Sequence, residues 1–257
     1  MSADLSPTTL ATATRDTVNV LGRELRPVVR EPFGVLISLA QPLVFLALFS
    51  PLLPDIGSGS ALQWFVPGIV AMSCLIGSSM TGAGLMAEMY TGSHERLLVS
   101  PLSRTSLLLG RALKEIVPVL AQTALILAIV TPFSFELHLG GVVVGVAILA
   151  VFCIGIGSLS YALALASKDQ DWLFWTLQQT LLFPVLLLAG MLLPIEGGPG
   201  WLRFLSSLNP LTYVIEAERA LFSGTWPWDT LLAGVGAAVG VAAVGLFLGL
   251  RGMHRSS

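Results

Sequence analysis

His94, His138 and His254 stand far apart in separate loops, so no histidine pair has the spacing of a metal or proton-transfer site, and neither H-E-x-x-H nor G-x-S-x-G occurs. The two lysines, Lys114 and Lys168, do not follow a glycine-rich phosphate loop. The run Gly234-x-Gly236 has its last glycine one place late, at Gly240, with no strand before it, so close helix packing explains these glycines better than a dinucleotide fingerprint. Cys74 and Cys153 lie in apolar runs and read as small core residues. No catalytic residue and no metal ligand is assigned. Two segments that mix charge with apolar side chains remain, 88–107 and 194–228, together with isolated glutamines inside apolar stretches.

In the first segment, Ser93 can cap a short helix that projects Arg96, Leu97 and Leu98 and closes before Pro101; Ser103 or Thr105 can then start a helix carrying Arg111, Lys114 and Glu115. A short rigid helix fixed at both ends to membrane helices is a lever that offers apolar knobs and charge to a cytoplasmic partner. The alternative is a solvated connector. The second segment is apolar and aromatic, with Trp201, Phe204, Tyr213, Phe222, Trp226 and Trp228, yet it is broken by Pro194, the glycines at 197, 198 and 200, and Asn209-Pro210. Helices at about 200–208 and 211–222 are each too short to span and would dip into the outer leaflet and return, capping the outer end of a pathway. Glu216, Glu218 and Arg219 on the second of them must be paired, hydrated or functional at that depth. A loose interfacial loop with aromatic anchors is the other reading.

The elements that hold these segments follow from composition. Of 257 residues 54% are apolar and 11% charged, which excludes a disordered chain, and two cysteines exclude a disulfide scaffold. Lys and Arg are missing from 31–95, 115–167, 169–202 and 220–250, and those gaps divide into six spans of about twenty residues. The expected helices run over about 33–53, 64–86 extending toward Tyr90, 112–130, 141–165, 172–193 and 229–250. Pro42, Pro67, Pro118 and Pro184 fall inside them and predict kinks. With a cytoplasmic amino terminus, eleven of the thirteen basic residues lie inside and only Arg203 and Arg219 outside, so the positive-inside rule predicts both termini in the cytoplasm. Residues 1–30 lack an apolar run long enough for a cleavable signal. Instead Val18, Leu21, Leu25 and Val28 recur at helical steps opposite Arg15, Asp16, Arg23 and Arg26, the pattern of a helix lying on the inner leaflet or of an ordinary solvated amphipathic helix.

The expected fold class is therefore an all-α integral membrane protein of the cell membrane. It is one domain over 1–257: an amphipathic interfacial helix within 1–32, six transmembrane helices within 33–250 with a cytoplasmic helix after the second and a re-entrant pair before the last, and a cytoplasmic tail at 251–257. Gln41, Gln178 and Gln179, with Phe45, Trp172, Phe174 and Trp175 nearby, are candidates for a pathway wall suited to amphiphilic planar solutes. Hydrogen bonding between helices is the competing role, equally so for Gln122. An ion-coupled secondary transporter would need a carboxylate at mid-depth and an internal repeat, and a membrane enzyme would need converging titratable groups; neither pattern is found.

The segment Gly92-Ser-His-Glu-Arg-Leu-Leu-Val-Ser-Pro-Leu-Ser-Arg resembles the coupling segment of ABC-2 type permeases, and Asn209-Pro-Leu-Thr-Tyr-Val-Ile-Glu-Ala-Glu-Arg resembles their motif before the last helix. The order of elements matches over nearly the whole chain. The resemblance implies half of an exporter: two permease copies, alike or different, around a central pathway, with two separate ATP-binding cassette subunits beneath that hold ATP and Mg. It is most similar to the daunorubicin-resistance type of drug exporter and second to polysaccharide or lipid-linked glycan exporters. It implies coupling roles for Gly92, His94, Glu95, Arg96, Leu97, Leu98, Pro101 and Arg104, and an outer gate at Asn209, Pro210, Tyr213, Glu216, Glu218 and Arg219. The partners it implies are those subunits, the bilayer and an amphiphilic small molecule, with no nucleic acid. Family members often carry a charged pair before the coupling glycine, whereas Met89-Tyr90 follows Glu88 here, and Glu218 stands where an apolar residue is commoner.

Overall fold

The computed structural model describes residues 10–30, 37, 39–49, 61–92, 104–133, 135–168, 170–192, 195 and 197–255. Among them every regular element is a helix: α1 Leu10–Arg30, α2 Ala40–Phe49, α3 Ala61–Ser79, α4 Thr81–Tyr90, α5 Arg104–Lys114, α6 Ile116–Val130, α7 Leu139–Ala166, α8 Asp171–Leu188, α9 Gly200–Ser207, α10 Pro210–Phe222 and α11 Trp228–Arg255. Four helical stretches are long and apolar enough to cross a membrane: Ala61–Tyr90, Leu107–Val130, Leu139–Ala166 and Trp228–Met253. They match four of the six expected spans and run past them, because the charged ends stay helical. The expected first span contains α2, and its flanks lie largely outside the described residues. The expected fifth span ends early, at Leu188, where Gly190 takes a φ of 66° that a helix cannot continue.

Two of the crossing stretches are bent, each for a local reason. Between α3 and α4 the hydroxyls of Ser78, Ser79 and Thr81 donate back to the carbonyls of Cys74, Ile76 and Ser78 at 2.7–2.8 Å, competing with the helical ladder. The Ser160 hydroxyl of α7 clasps the bend, donating to the Ser79 carbonyl and accepting from the Gly82 amide at 3.0 Å. Between α5 and α6 the break falls at Glu115, with Pro118 in the first turn of α6, where its missing amide costs nothing.

The 28-residue α7 is the central post, packed most extensively along α11 and also against α3, α4, α6 and α10. Close approach depends on glycine at a few positions. A Cβ on Gly245 would run into the Gly155 carbonyl, one on Gly141 into the Leu221 carbonyl, and one on Gly249 would sit 3.0 Å from Leu108. The Gly141-x-x-x-Gly145 and Gly245-x-x-x-Gly249 patterns are therefore internal seams. Gly236 and Gly240, by contrast, meet nothing among the described residues and lie on the open face of α11.

The interior divides into two apolar clusters. The larger gathers Phe65, Ile69, Leu149, Phe152, Val214 and Phe222; the smaller gathers Val20, Leu85, Leu108, Tyr161, Phe174 and Met253. Between and beside them lie buried polar side chains, including Ser73, Gln122, Ser79, Thr81, Glu115 and Gln178. Gln122 accepts from the Ser73 hydroxyl at 2.9 Å, and Glu115 from Thr81 at 2.7 Å, so Gln122 is an interhelical tie between α6 and α3. Cys74 and Cys153 are both buried and unpaired in the core.

Candidate functional site

The segment expected to meet a partner, 93–103, lies outside the described residues, and with it His94, Glu95, Arg96, Leu97, Leu98 and Pro101; of Arg104 only the backbone is described. Its two anchors are described. Gly92 ends α4 with a φ of 68°, its amide donating to the Met89 carbonyl at 3.1 Å, a left-handed exit that strongly favours glycine. On the far side, α5 carries Arg111, 3% exposed, at the centre of a buried charge cluster. Its guanidinium donates to Glu24 at 3.2 Å, to the Tyr161 hydroxyl at 2.9 Å and to Glu88, and lies over the Tyr161 ring. Lys114 donates to the other Glu24 oxygen at 3.1 Å. One cation thus joins α4, just before the segment, to α5, just after it, and both to α1 and α7. Burial pushes the Glu24 carboxyl up, but the Arg111 and Lys114 cations outweigh it and hold that carboxyl below its ordinary value.

This cluster is what the sequence pattern hid. The apolar stripe at Val18, Leu21 and Leu25 does not make the contact: Val18 is 64% exposed, while Val20 is 4% exposed and packs where Gly110 leaves room, with the Thr17 carbonyl alongside. The face of α1 that meets α5 is Thr17, Val20 and Glu24, rotated by one residue (about 100°) from the stripe, of which Val18 is exposed and Leu21 and Leu25 are half-buried. The signal available was Glu24, the one acid of the helix set between the arginines Arg23 and Arg26.

At the other end, α10 closes the end of α8. Asn209 caps α10, its side chain accepting from the Leu211 amide at 3.1 Å, and Pro210 takes the first helical position. The same Asn209 amide donates to the Val185 carbonyl at 2.7 Å, Thr212 reaches the Leu188 carbonyl at 3.4 Å, and Arg219 donates to the Gly190 carbonyl at 2.8 Å. The Asn209–Arg219 motif therefore adds side-chain donors to carbonyls at and just past the end of α8, where the helical ladder runs out. Arg219 also donates to the Trp64 carbonyl and lies 3.7 Å over the Trp64 ring. Tyr213 ties α10 to α9 through the Ser207 carbonyl at 2.7 Å, and Glu216 is exposed. Glu218 is different: it is fully buried beside Gly145, and neither carboxyl oxygen has a hydrogen-bond partner among the described residues.

An unpartnered buried carboxyl lowers stability. Glu218→Met, which keeps length and removes the polar atoms, raises stability by about 1–3 kcal/mol, read as a higher melting temperature in detergent. An unchanged or lower melting temperature contradicts that reading.

The seven pathway candidates do not form one wall within a single chain. Phe174 is fully buried in the smaller cluster, edge-on to Trp175 at 5.3 Å. Gln178 is buried against the α3–α4 bend, its amide 3.5 Å from the Ser79 hydroxyl, and its carbonyl oxygen has no partner among the described residues. Phe45 is half-buried and stacks on Phe49 at 5.5 Å. Gln41, Trp172, Trp175 and Gln179 are exposed, on faces of α2 and α8 that also expose Val44, Leu48, Leu181, Phe183 and Leu187.

A helical chain whose long apolar helices surround glycine seams, with wholly apolar outer faces, is a multi-pass membrane-embedded protein. The profile of the ABC-2 type transporter family matches residues 16–223, and the chain belongs to that family. It is similar to the daunorubicin resistance ABC transporter permease protein DrrB1 of Streptomyces coeruleorubidus, with 25% identity over 225 residues, 85% of this chain and 79% of that one. It is also similar to a protein of Cyanophora paradoxa that carries the name transport permease ycf38, with 31% identity over 212 residues, 79% of this chain and 73% of that one.

Proposed function

We propose that this chain is the permease subunit of an ATP-driven exporter that moves an amphiphilic drug or antibiotic out of the cell, with ATP and Mg held and hydrolysed on two separate ATP-binding cassette subunits. In this reading the chain crosses the cell membrane six times, through the four long stretches together with the spans containing α2 and α8, and both termini are cytoplasmic. The pair α9 and α10 dips into the outer leaflet, since eight and thirteen residues reach only about 12 and 20 Å. Two permease copies face each other through α2 and α8, whose exposed Gln41, Trp172, Trp175 and Gln179 then line the pathway together.

The observation that carries this reading is the Arg111 cluster. Force applied by a partner to 93–103 enters through Gly92 and Arg104, and the cation gathers those two roots with α1 and α7, so the segment moves helices rather than bending alone. The relative named for daunorubicin resistance supports the substrate class. The test is Glu95→Ala combined with Arg96→Ala and Leu97→Ala in the reconstituted complex. Truncating central anchors of an interface lowers ATP-driven efflux by roughly thirtyfold while the permease still assembles. Full efflux by that variant overturns the reading.

A further inference from the structure

Lys168 and Arg251 are both exposed, and neither takes part in an ion pair among the described residues. They stand at the rim of one groove of about 630 Å³ between the carboxyl-terminal ends of α7 and α11. Its walls are apolar, formed by Leu159, Ala162, Leu163 and Leu248. At this end of the pair, Gly252 packs on Leu165 and Ala162. This end of the molecule is also the end of the Arg111 cluster, because Leu165 and Met253 share the smaller apolar cluster with Leu108 and Tyr161.

We propose that this groove binds one anionic glycerophospholipid, its phosphate held between Lys168 and Arg251 and an acyl chain laid between α7 and α11. The charge complementarity argues for it: two exposed cations flank an apolar groove open at the surface, and the planar guanidinium fork of Arg251 fits phosphate oxygens. Both helices end here, and the cations offset the partial negative charge of those ends. At α7 the Ser167 amide already covers the carbonyls of Leu163 and Ala164, which leaves Lys168 available. A free phosphate would gain nothing from the apolar walls, and a second protein copy nothing from the two cations. The inference needs the groove to lie at a membrane surface but does not need export, coupling or a given orientation.

The test is native mass spectrometry of the full chain in detergent, titrated with phosphatidylglycerol or phosphatidylcholine of the same acyl chains, which is blind to orientation and to transport. The unmodified chain retains one phosphatidylglycerol with about thirtyfold preference, the product of roughly fivefold for each basic group near an anionic surface. Lys168→Gln with Arg251→Gln, both at the surface, brings the two lipids to near parity, and Ala162→Trp removes retention of both while keeping the cations. Inorganic phosphate does not compete. Equal retention of the two lipids by the unmodified chain, an undiminished preference in the double variant, or displacement by inorganic phosphate overturns the proposal.

Discussion

Arg111→Ala destabilises the folded chain by about 3–5 kcal/mol, the loss expected when one partner of a buried charge cluster is removed and the others are stranded. Glu24 then keeps Lys114, but it, Glu88 and the Tyr161 hydroxyl each lose a bond to the guanidinium. Because Glu24 is the tie that α1 offers to α5, the amino-terminal helix comes away first. Protease cleavage within residues 10–30 therefore accelerates before the melting temperature of the remainder falls. Lys114→Ala, at a more exposed site, costs much less. The same cluster sets a pH dependence. Glu24 is held below its ordinary carboxyl value, so its contribution is complete above that ordinary value and is lost as pH falls through the lowered one. Acid therefore releases α1 in the unmodified chain, and Glu24→Gln abolishes that acid sensitivity. A melting temperature of Arg111→Ala within a degree of the unmodified chain contradicts the assignment.

Gly245→Val removes the folded state under conditions where Gly236→Val leaves it intact. A Cβ at 245 has no room against the Gly155 carbonyl, and a Cβ at 155 would sit 2.6 Å from the Ala242 amide, so backbone faces backbone and neither side can move aside. The cost exceeds about 3 kcal/mol because the main contact of the molecule, α7 on α11, has to open. Gly236 has open space around it, so its substitution stays within about 0.5 kcal/mol. Size-exclusion profiles and thermal melts of the two variants separate these outcomes. Equal behaviour of the two would mean that the seam is not where α7 and α11 touch.

Much of this architecture was legible because a charge is costly in lipid: the stretches without Lys or Arg marked the four long crossing helices to within a few residues. Asn209-Pro210 was legible as a helix start, since amide capping and a proline at the first position are local chemistry. What the chain pattern could not show was anything that depends on one helix being rotated against another. The pairing of Glu24 with Arg111 needs α1 turned by one residue from its apolar stripe. The split of the glycine motifs into an internal seam at 245 and an open one at 236 depends on which side of α11 meets α7. Phe174 and Gln178 looked like neighbours of Trp175 and Gln179, but successive pairs on a helix face different ways, and the structure buries one set while exposing the other. The sequence left open whether Glu218 is paired, hydrated or functional; in the fold Arg219 turns to Trp64 and Gly190, and the carboxyl has no hydrogen-bond donor among the described residues.

The central claim, that this polypeptide is the conduit and a different one the engine, is tested by efflux of a fluorescent amphiphile from proteoliposomes in three preparations: the permease alone, the permease with its ATP-binding cassette subunit, and the permease with that subunit carrying an alanine for its phosphate-loop lysine. ATP-dependent efflux in the second preparation and its absence from the first and third is the predicted result. ATP-dependent efflux by the permease alone contradicts it.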